Sequence, residues 1–183
     1  ICAVKFVEIL EEAGLPPGVL NLVLGGDETG AALVDHPDVA LISFTGSTEV
    51  GLQVAEKCAA RGKRVSLEMG GKNAAIVMDD ADLDLVADAL TWSAFGTSGQ
   101  RCTACSRVLV HPKVHGDVAD LLVDRARRLR LGHGLDPQTD MGPLVSQAQL
   151  ERVERYVRIG REEGATVLVG GERAVGNLSL IHI

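Results

Sequence analysis

Apolar and polar positions along the chain change repeatedly between helical and strand-like spacing. Apolar residues three or four positions apart predict helices over about residues 4–13, 30–34, 48–60, 80–95, 118–129 and 146–160. Short apolar runs between Gly, Pro and Asp residues predict strands over residues 19–24, 39–44, 64–69, 74–78, 107–110 and 166–169. Because helices and strands alternate, we expect an α/β fold with mostly parallel sheets.

Composition narrows the class of protein. The net charge of -7 and the 3% aromatic content exclude a basic, base-stacking surface, so we expect no nucleic-acid partner. No apolar run approaches the length of a membrane span, and we expect no membrane association. The four cysteines are too scattered for a disulfide scaffold, which favours a reducing cytoplasm as the compartment.

Both ends of the chain are unusual. Ile1 is not a start methionine, and the first predicted helix is already under way a few residues later. The last six residues, 178–183, match one reading frame of a transposon-type sequencing adaptor, and no turn residues introduce them. We therefore expect residues 174–183 to be a non-native tail. A genuine apolar strand is the alternative.

A glycine turn, defined as residues 46–50, follows one predicted strand and opens the next helix. A helix N-terminus presents free backbone N–H groups and a positive dipole end, which suit a phosphate. Gly46 permits close approach, and the Ser47 hydroxyl can donate a hydrogen bond. The pattern alone is weak, because many such glycines mark only a turn, and no Gly-Lys-Ser/Thr follows to make a Walker motif.

Cys102 has a polar, glycine-containing approach and is the candidate nucleophile. It could instead be a buried structural thiol, or it could pair with Cys105 as a Cys-x-x-Cys redox or zinc site. A zinc site needs further ligands, and Cys2, Cys58 and the histidines lack the spacing; we therefore expect no metal site. A redox pair normally opens a helix after a strand, whereas here a strand is predicted to follow.

Glu68 ends a predicted strand just before Gly70 and Gly71. A lone glutamate at such a place is usually a solvated charge. Beside two glycines, however, the backbone can pack closely against a ligand, and a carboxylate there could activate water. We therefore interpret Glu68 as a candidate general base that acts with Cys102.

Three segments together resemble the aldehyde dehydrogenase superfamily. They are residues 44–51 (Phe-Thr-Gly-Ser-Thr-Glu-Val-Gly), 65–72 (Val-Ser-Leu-Glu-Met-Gly-Gly-Lys) and 98–105 (Ser-Gly-Gln-Arg-Cys-Thr-Ala-Cys). The resemblance implies NAD- or NADP-dependent oxidation of an aldehyde, with a semialdehyde as one candidate, to a carboxylic acid through a cysteine thiohemiacetal and a thioester. Cys102 would be the nucleophile and Glu68 would activate the hydrolytic water. The cofactor-binding residues would be Gly25, Gly46, Ser47, Val50 and Gly70.

The same resemblance implies a domain organisation. Residues 1–69 would form part of a Rossmann-like cofactor domain and residues 70–173 part of an α/β catalytic domain, with Cys102 and Glu68 in the cleft between them. The family's oxyanion asparagine, its ribose-contacting residues and its oligomerisation strand have no counterpart in the chain. We therefore expect an interior fragment of a longer homodimeric or homotetrameric enzyme, with little turnover by itself. A Cys-x-x-Cys redox or metal module and a truncated, non-catalytic homologue remain open as alternatives.

Overall fold

A computed structural model of the protein describes residues 1–174. The chain divides between Met69 and Gly70 into two compact units. Unit 1 contains α1 (Cys2–Glu12), α2 (Asp27–Asp35), β1 (Leu41–Gly46), α3 (Thr48–Ala60) and β2 (Arg64–Met69). Unit 2 contains β3 (Asn73–Val77), α4 (Leu83–Phe95), β4 (Cys105–Val110), α5 (His115–Arg128) and α6 (Gln147–Glu162).

Unit 1 is built around one parallel strand pair. β1 and β2 pair in register from Leu41 opposite Arg64 to Gly46 opposite Met69, and α3 connects them. A parallel pair needs such a crossover helix. The core consists of buried residues of α2 and α3 packed against partly buried strand residues: Val34, Val54 and Cys58 against Ile42, Phe44 and Leu67. Apolar burial on one face of α3 therefore fixes the helix over the sheet.

Unit 2 repeats this arrangement. β3 and β4 pair in parallel and α4 connects them, with the side chain of Asp82 capping the helix by accepting from the backbone N–H of Leu85. Val77 of β3, Leu90 of α4 and Val118 of α5 form the core between the sheet and these two helices. A second cluster, around Leu150 and Val153, belongs to α6, which the Ser146 side chain caps. The α/β fold class with parallel strands is thus confirmed.

Two of the predicted strands are wrong. Residues 19–24 and 166–169 have no strand conformation, although both are apolar. Val19, Val23 and Leu24 are exposed, and no described strand pairs with this segment. A strand exists only with a hydrogen-bonded neighbour, and an apolar run carries no information about one. The predicted tail at 174–183 lies, apart from Ala174, outside the described residues.

Candidate functional site

The cysteine loop, defined as residues 96–105, connects α4 to β4 in unit 2. Its backbone is unusual, because Thr97 (φ 54°), Ser98 (φ 56°) and Gly99 (φ 67°) are all left-handed. Left-handed non-glycine residues cost of order 1–3 kcal/mol each and persist only where the surroundings enforce them. At Gly99, a Cβ atom would lie 2.9 Å from the carbonyl oxygen of Ala94. The backbone shortly before Cys102 is therefore strained and closely packed against the end of α4.

Two side chains tie the approach to Cys102 to a distant segment. The Ser98 hydroxyl donates to the carbonyl oxygen of Gly142 at 2.7 Å. The side-chain oxygen of Gln100 accepts from the backbone N–H of Val145 at 3.0 Å. Such bonds supply part of the free energy that holds the strained backbone. The cysteine loop is consequently shaped by residues that are remote in sequence.

The support segment, defined as residues 130–145, is itself held by contacts within it. The Arg130 guanidinium forms two hydrogen bonds to the carboxylate of Asp140, at 2.9 and 3.0 Å, and Leu131 makes a bridge to Met141. The hydrogen bonds from Arg130 lower the pKa of Asp140 to about 2. A two-pronged pair of this kind has a defined geometry, so the beginning of the segment is held against residues 140 and 141.

Arg101, immediately before the candidate nucleophile, points back to the end of α4. Its guanidinium lies 4.1 Å from the centroid of the Trp92 ring and donates to the carbonyl oxygens of Trp92 and Ser93, at 3.2 and 3.3 Å. A cation there meets the negative end of the helix dipole and the face of an aromatic ring. The Arg101 guanidinium is thus bound to the end of α4.

The far side of Cys102 is held by unit 2 as well. The side-chain amide of Asn73 donates to the carbonyl oxygens of Cys102 and, at 3.2 Å, of Ala104. The backbone N–H of Cys105 donates to the Ser93 hydroxyl at 3.3 Å. Backbone groups on both sides of Cys102 are therefore engaged, while the residue itself is exposed.

The alternative of a buried structural thiol is wrong for Cys102. The fully buried cysteine is Cys58, in the core of unit 1, whereas Cys102 is exposed. Cys105 opens β4, and its thiol donates to the carbonyl oxygen of Arg107. Within residues 1–174, no group of three or more His, Cys, Asp or Glu side chains is placed to hold a metal ion. An exposed thiol on a tethered backbone has the access that a nucleophile requires.

In unit 1, the candidate residues gather at the carboxyl end of the strand pair. Glu68 lies opposite Thr45 at the end of β2, and Gly46 ends β1 beside it. Ser47 follows and caps α3, its hydroxyl oxygen accepting from the backbone N–H of Val50 at 3.2 Å. In open α/β sheets, ligands bind at this edge. The structure thus brings Glu68 and the glycine turn to one edge.

The glycine turn can receive an anionic group. The cap engages Val50, and the first-turn amides of Thr48 and Glu49 have no partner within the helix. A Cβ atom at Gly46 would meet the outer edge of the Phe44 ring, so a side chain at this position would require that ring to move. The residues present therefore fit the phosphate group of a dinucleotide.

Two other predicted cofactor residues lie outside the glycine turn. Gly25 precedes α2, and a Cβ atom there would meet the Thr29 side chain. Gly70 follows β2, and a Cβ atom there would have no heavy atom within 4 Å. Neither is shown to contact the glycine turn. Their cofactor roles, like the pairing of Glu68 in unit 1 with Cys102 in unit 2, stay predictions.

Sequence reasoning missed the parts played by Asn73, Ser98 and Gln100. Ser98 and Gln100 belong to the polar approach to Cys102, but no structural role follows from that alone. An amide at the first residue of a strand, together with a Gly-Gln pair close before a cysteine, hints at side-chain hydrogen bonds. No local pattern identifies their partners.

Comparison with known proteins supports the family resemblance that the three motifs indicated. A family model described as "Aldehyde dehydrogenase family" matches residues 1–179. A 1-pyrroline-5-carboxylate dehydrogenase of Bacillus subtilis is 46% identical over 179 residues, which cover 94% of this chain and 35% of the relative. The chain therefore spans about a third of the length of the curated relatives it matches.

Solved structures show the same similarity. The HpcC of Thermus thermophilus superposes with a TM-score of 0.90 and 52% identity, over 94% of this chain and 34% of that one. An NAD+ complex of an aldehyde dehydrogenase from Bacillus cereus gives a TM-score of 0.95 and 42% identity, over 98% and 37% of the two chains. In residues 1–174, no helix has the length and apolar character needed to cross a membrane.

Proposed function

Because this chain belongs to the aldehyde dehydrogenase family, we propose that it carries the nucleophile and the general base of an NAD(P)-dependent enzyme that oxidises an aldehyde to a carboxylic acid. The observation that carries the proposal is the exposed Cys102 on a loop whose backbone is tied on both sides. An exposed thiol could also be incidental, but a strained loop held by several distant side chains indicates a position that the fold maintains.

The chemistry follows from the two candidate residues. The Cys102 thiolate adds to the aldehyde carbon and gives a tetrahedral thiohemiacetal oxyanion. Loss of hydride from that carbon leaves a thioester on the sulfur. Glu68 then takes a proton from water, which attacks the thioester carbonyl, and release of the carboxylic acid returns Cys102 as a thiolate.

The cofactor would be held at the carboxyl edge of unit 1. Ser47, Gly46 and the first-turn amides of α3 would bind a phosphate, as the capped helix end and the absent Cβ atom favour. A bound nicotinamide dinucleotide supplies the hydride acceptor. The complex of the Bacillus cereus relative with NAD+ supports this class of cofactor. We propose NAD or NADP, with Gly25, Val50 and Gly70 as further contacts.

The substrate class is suggested by the relatives. Several curated relatives at 45–46% identity are named 1-pyrroline-5-carboxylate dehydrogenase. A pyrroline is a cyclic imine, which water opens to an amino aldehyde, so a semialdehyde that bears a carboxylate is our candidate. In unit 2, the Arg101 guanidinium donates to the end of α4. We therefore do not assign Arg101 as the group that binds the substrate carboxylate.

The test uses an enzyme of the relatives' length that contains this chain. We expect it to reduce NAD or NADP with 1-pyrroline-5-carboxylate at a higher kcat/KM than with a simple aliphatic aldehyde. The 183-residue chain alone should show little or no turnover. Absence of cofactor reduction by the longer enzyme with any aldehyde in a broad panel would contradict the proposal and favour a non-catalytic homologue. We also propose a homodimer or homotetramer, which the native mass of the longer enzyme would test.

A further inference from the structure

The beginning of β4 is irregular at the point where it leads back to Cys102. In the parallel pair, Asn73 lies opposite Cys105 and Ala74 opposite Arg107, so Ser106 is an extra residue that forms a bulge. The Ser106 hydroxyl donates to the carbonyl oxygen of Asn73 at 3.2 Å. A bulge changes the direction of its strand and is commonly found beside functional residues. Here the bulge lies where the cysteine loop joins β4.

The Asn73 side chain reaches past this bulge to the nucleophile. Its amide nitrogen donates to the carbonyl oxygens of both Cys102 and Ala104. The backbone N–H of Ala104 donates to the carbonyl oxygen of Arg101 at 3.1 Å and so closes a turn that contains Cys102. Among the described residues, no other side chain makes a hydrogen bond to the backbone of Cys102. A side-chain amide has two N–H donors, which matches the two carbonyl oxygens.

We propose that Asn73 is the positioning residue of the nucleophile: its amide fixes the peptide group that follows Cys102 and thereby the direction of the thiol. Gln100 and Arg101 fix the preceding part of the loop, through Val145 and the end of α4. The backbone is thus fixed on both sides, and within residues 1–174 the Asn73 amide is the one side-chain group that bonds the carbonyl oxygen of Cys102 itself. Asn73 need not touch the substrate. The inference rests on the proposed function of Cys102 as a nucleophile.

A positioning role gives two separate expectations. First, the backbone of the cysteine loop should open more often when the amide is lost, because two carbonyl oxygens lose a donor. Second, turnover should fall with little change in cofactor binding, since displacement of a reacting atom by about 1 Å can lower the rate roughly a hundredfold. A residue that only stabilised the fold would not lower kcat while leaving the KM of the cofactor unchanged.

The first experiment measures amide hydrogen exchange in the 183-residue chain. In Asn73→Ala, the amides of Ala104 and Cys105 should exchange roughly five- to tenfold faster, as expected when one or two hydrogen bonds are lost. Asn73→Asp keeps the shape but lacks the N–H donors, and it should behave like Asn73→Ala. Asn21→Ala, which removes an exposed side-chain amide that donates to the carbonyl oxygen of Gly18 in unit 1, is the matched control and should leave this exchange within about twofold of the wild type. Unchanged exchange in both Asn73 variants would overturn the proposal.

The second experiment measures kinetics in an enzyme of the relatives' length. Asn73→Ala and Asn73→Asp should lower kcat by roughly ten- to a hundredfold, while the KM of the nicotinamide cofactor stays within about twofold. Faster exchange with an unchanged kcat would refute the positioning role. If the wild-type enzyme oxidises no aldehyde, the proposed function fails, and the exchange result alone decides whether Asn73 holds the Cys102 backbone.

Discussion

The glycine turn of unit 1 and the cysteine loop of unit 2 both carry candidate chemistry, but they are held in different ways. In the glycine turn, Ser47 caps its own helix by bonding to Val50, three residues away. In the cysteine loop, Ser98, Gln100 and Cys102 depend on Gly142, Val145 and Asn73, which are 44, 45 and 29 residues distant. A helix end can present its donors through local structure alone, whereas a strained loop needs support from elsewhere.

This difference suits the two proposed tasks. A phosphate is large, charged and recognised by several backbone donors, so a helix N-terminus tolerates small displacements. A nucleophile must meet one carbon atom along a narrow path, and its rate depends steeply on position. The predictions below separate the two regions, because changes in the cysteine loop should affect turnover and changes in the glycine turn should affect cofactor binding and stability.

The largest expected effect is the loss of the thiol. In an enzyme of the relatives' length, Cys102→Ala should lower kcat by roughly 10⁴-fold or more, because the proposed mechanism forms the thioester on this sulfur. Steady-state cofactor reduction measures this. Cys105→Ala is the matched control and should keep kcat within a few-fold. Loss of turnover in Cys105→Ala with retention in Cys102→Ala would reverse the assignment.

The next largest effect should come from the carboxylate at the edge of unit 1. Glu68→Gln should slow hydrolysis of the thioester by roughly 10²–10⁴-fold, the range of general-base catalysis. Acylation should be slowed less, so rapid-mixing kinetics should show one fast turnover of cofactor followed by a slow steady state. If the fast phase is lost to the same extent as the slow one, Glu68 does not act mainly on hydrolysis.

A smaller effect tests the distant support of the loop. Gln100→Ala removes the acceptor for the Val145 N–H and should lower kcat by roughly tenfold through loosening of the loop. The KM of the cofactor should not change. Gln147→Ala, which removes an exposed hydrogen bond to Glu151 on α6, provides a control of the same chemical change and should leave kcat unaltered.

The corresponding test in unit 1 is the helix cap. Ser47→Ala should lower the free energy of unfolding by about 1 kcal/mol, since α3 loses its side-chain cap. It should also raise the KM of the cofactor, because a hydroxyl at the phosphate site is lost, and leave kcat nearly unchanged. Chemical denaturation and steady-state kinetics measure the two effects. A fall in kcat with an unchanged cofactor KM would place Ser47 in the chemistry of the nucleophile instead.

The smallest effect concerns pH. Since Arg130 lowers the pKa of Asp140 to about 2 from an ordinary 3.8, this carboxylate stabilises the folded chain above about pH 4. That contribution should disappear as the pH falls from about 4 to about 2. The denaturation midpoints of wild type and Asp140→Asn should therefore differ slightly near neutral pH and converge near about pH 2. A difference that grows on acidification would contradict this account of the pair.

The features that the sequence predicted well are those that local chemistry determines. The helix faces and the parallel βαβ units follow from short-range patterns, and the Ser47 and Asp82 caps found in the structure are local contacts of the same kind. The false strand at 19–24 shows the limit of such patterns, because its apolar residues are as regular as those of β1. The tethers of the cysteine loop could not be predicted, since each joins a polar side chain to a backbone group far along the chain. Backbone groups are the same at every residue and leave no mark in a sequence.

The most direct test of the central claim is to trap the covalent intermediate. An enzyme of the relatives' length that carries Glu68→Gln would be mixed with aldehyde and cofactor, quenched in acid and digested with pepsin at low pH, where a thioester survives. Fragmentation of the peptide that contains both Cys102 and Cys105 locates the added acyl mass. The account predicts a thioester on Cys102. An acyl group on Cys105, or none on either thiol while cofactor is reduced, would contradict it.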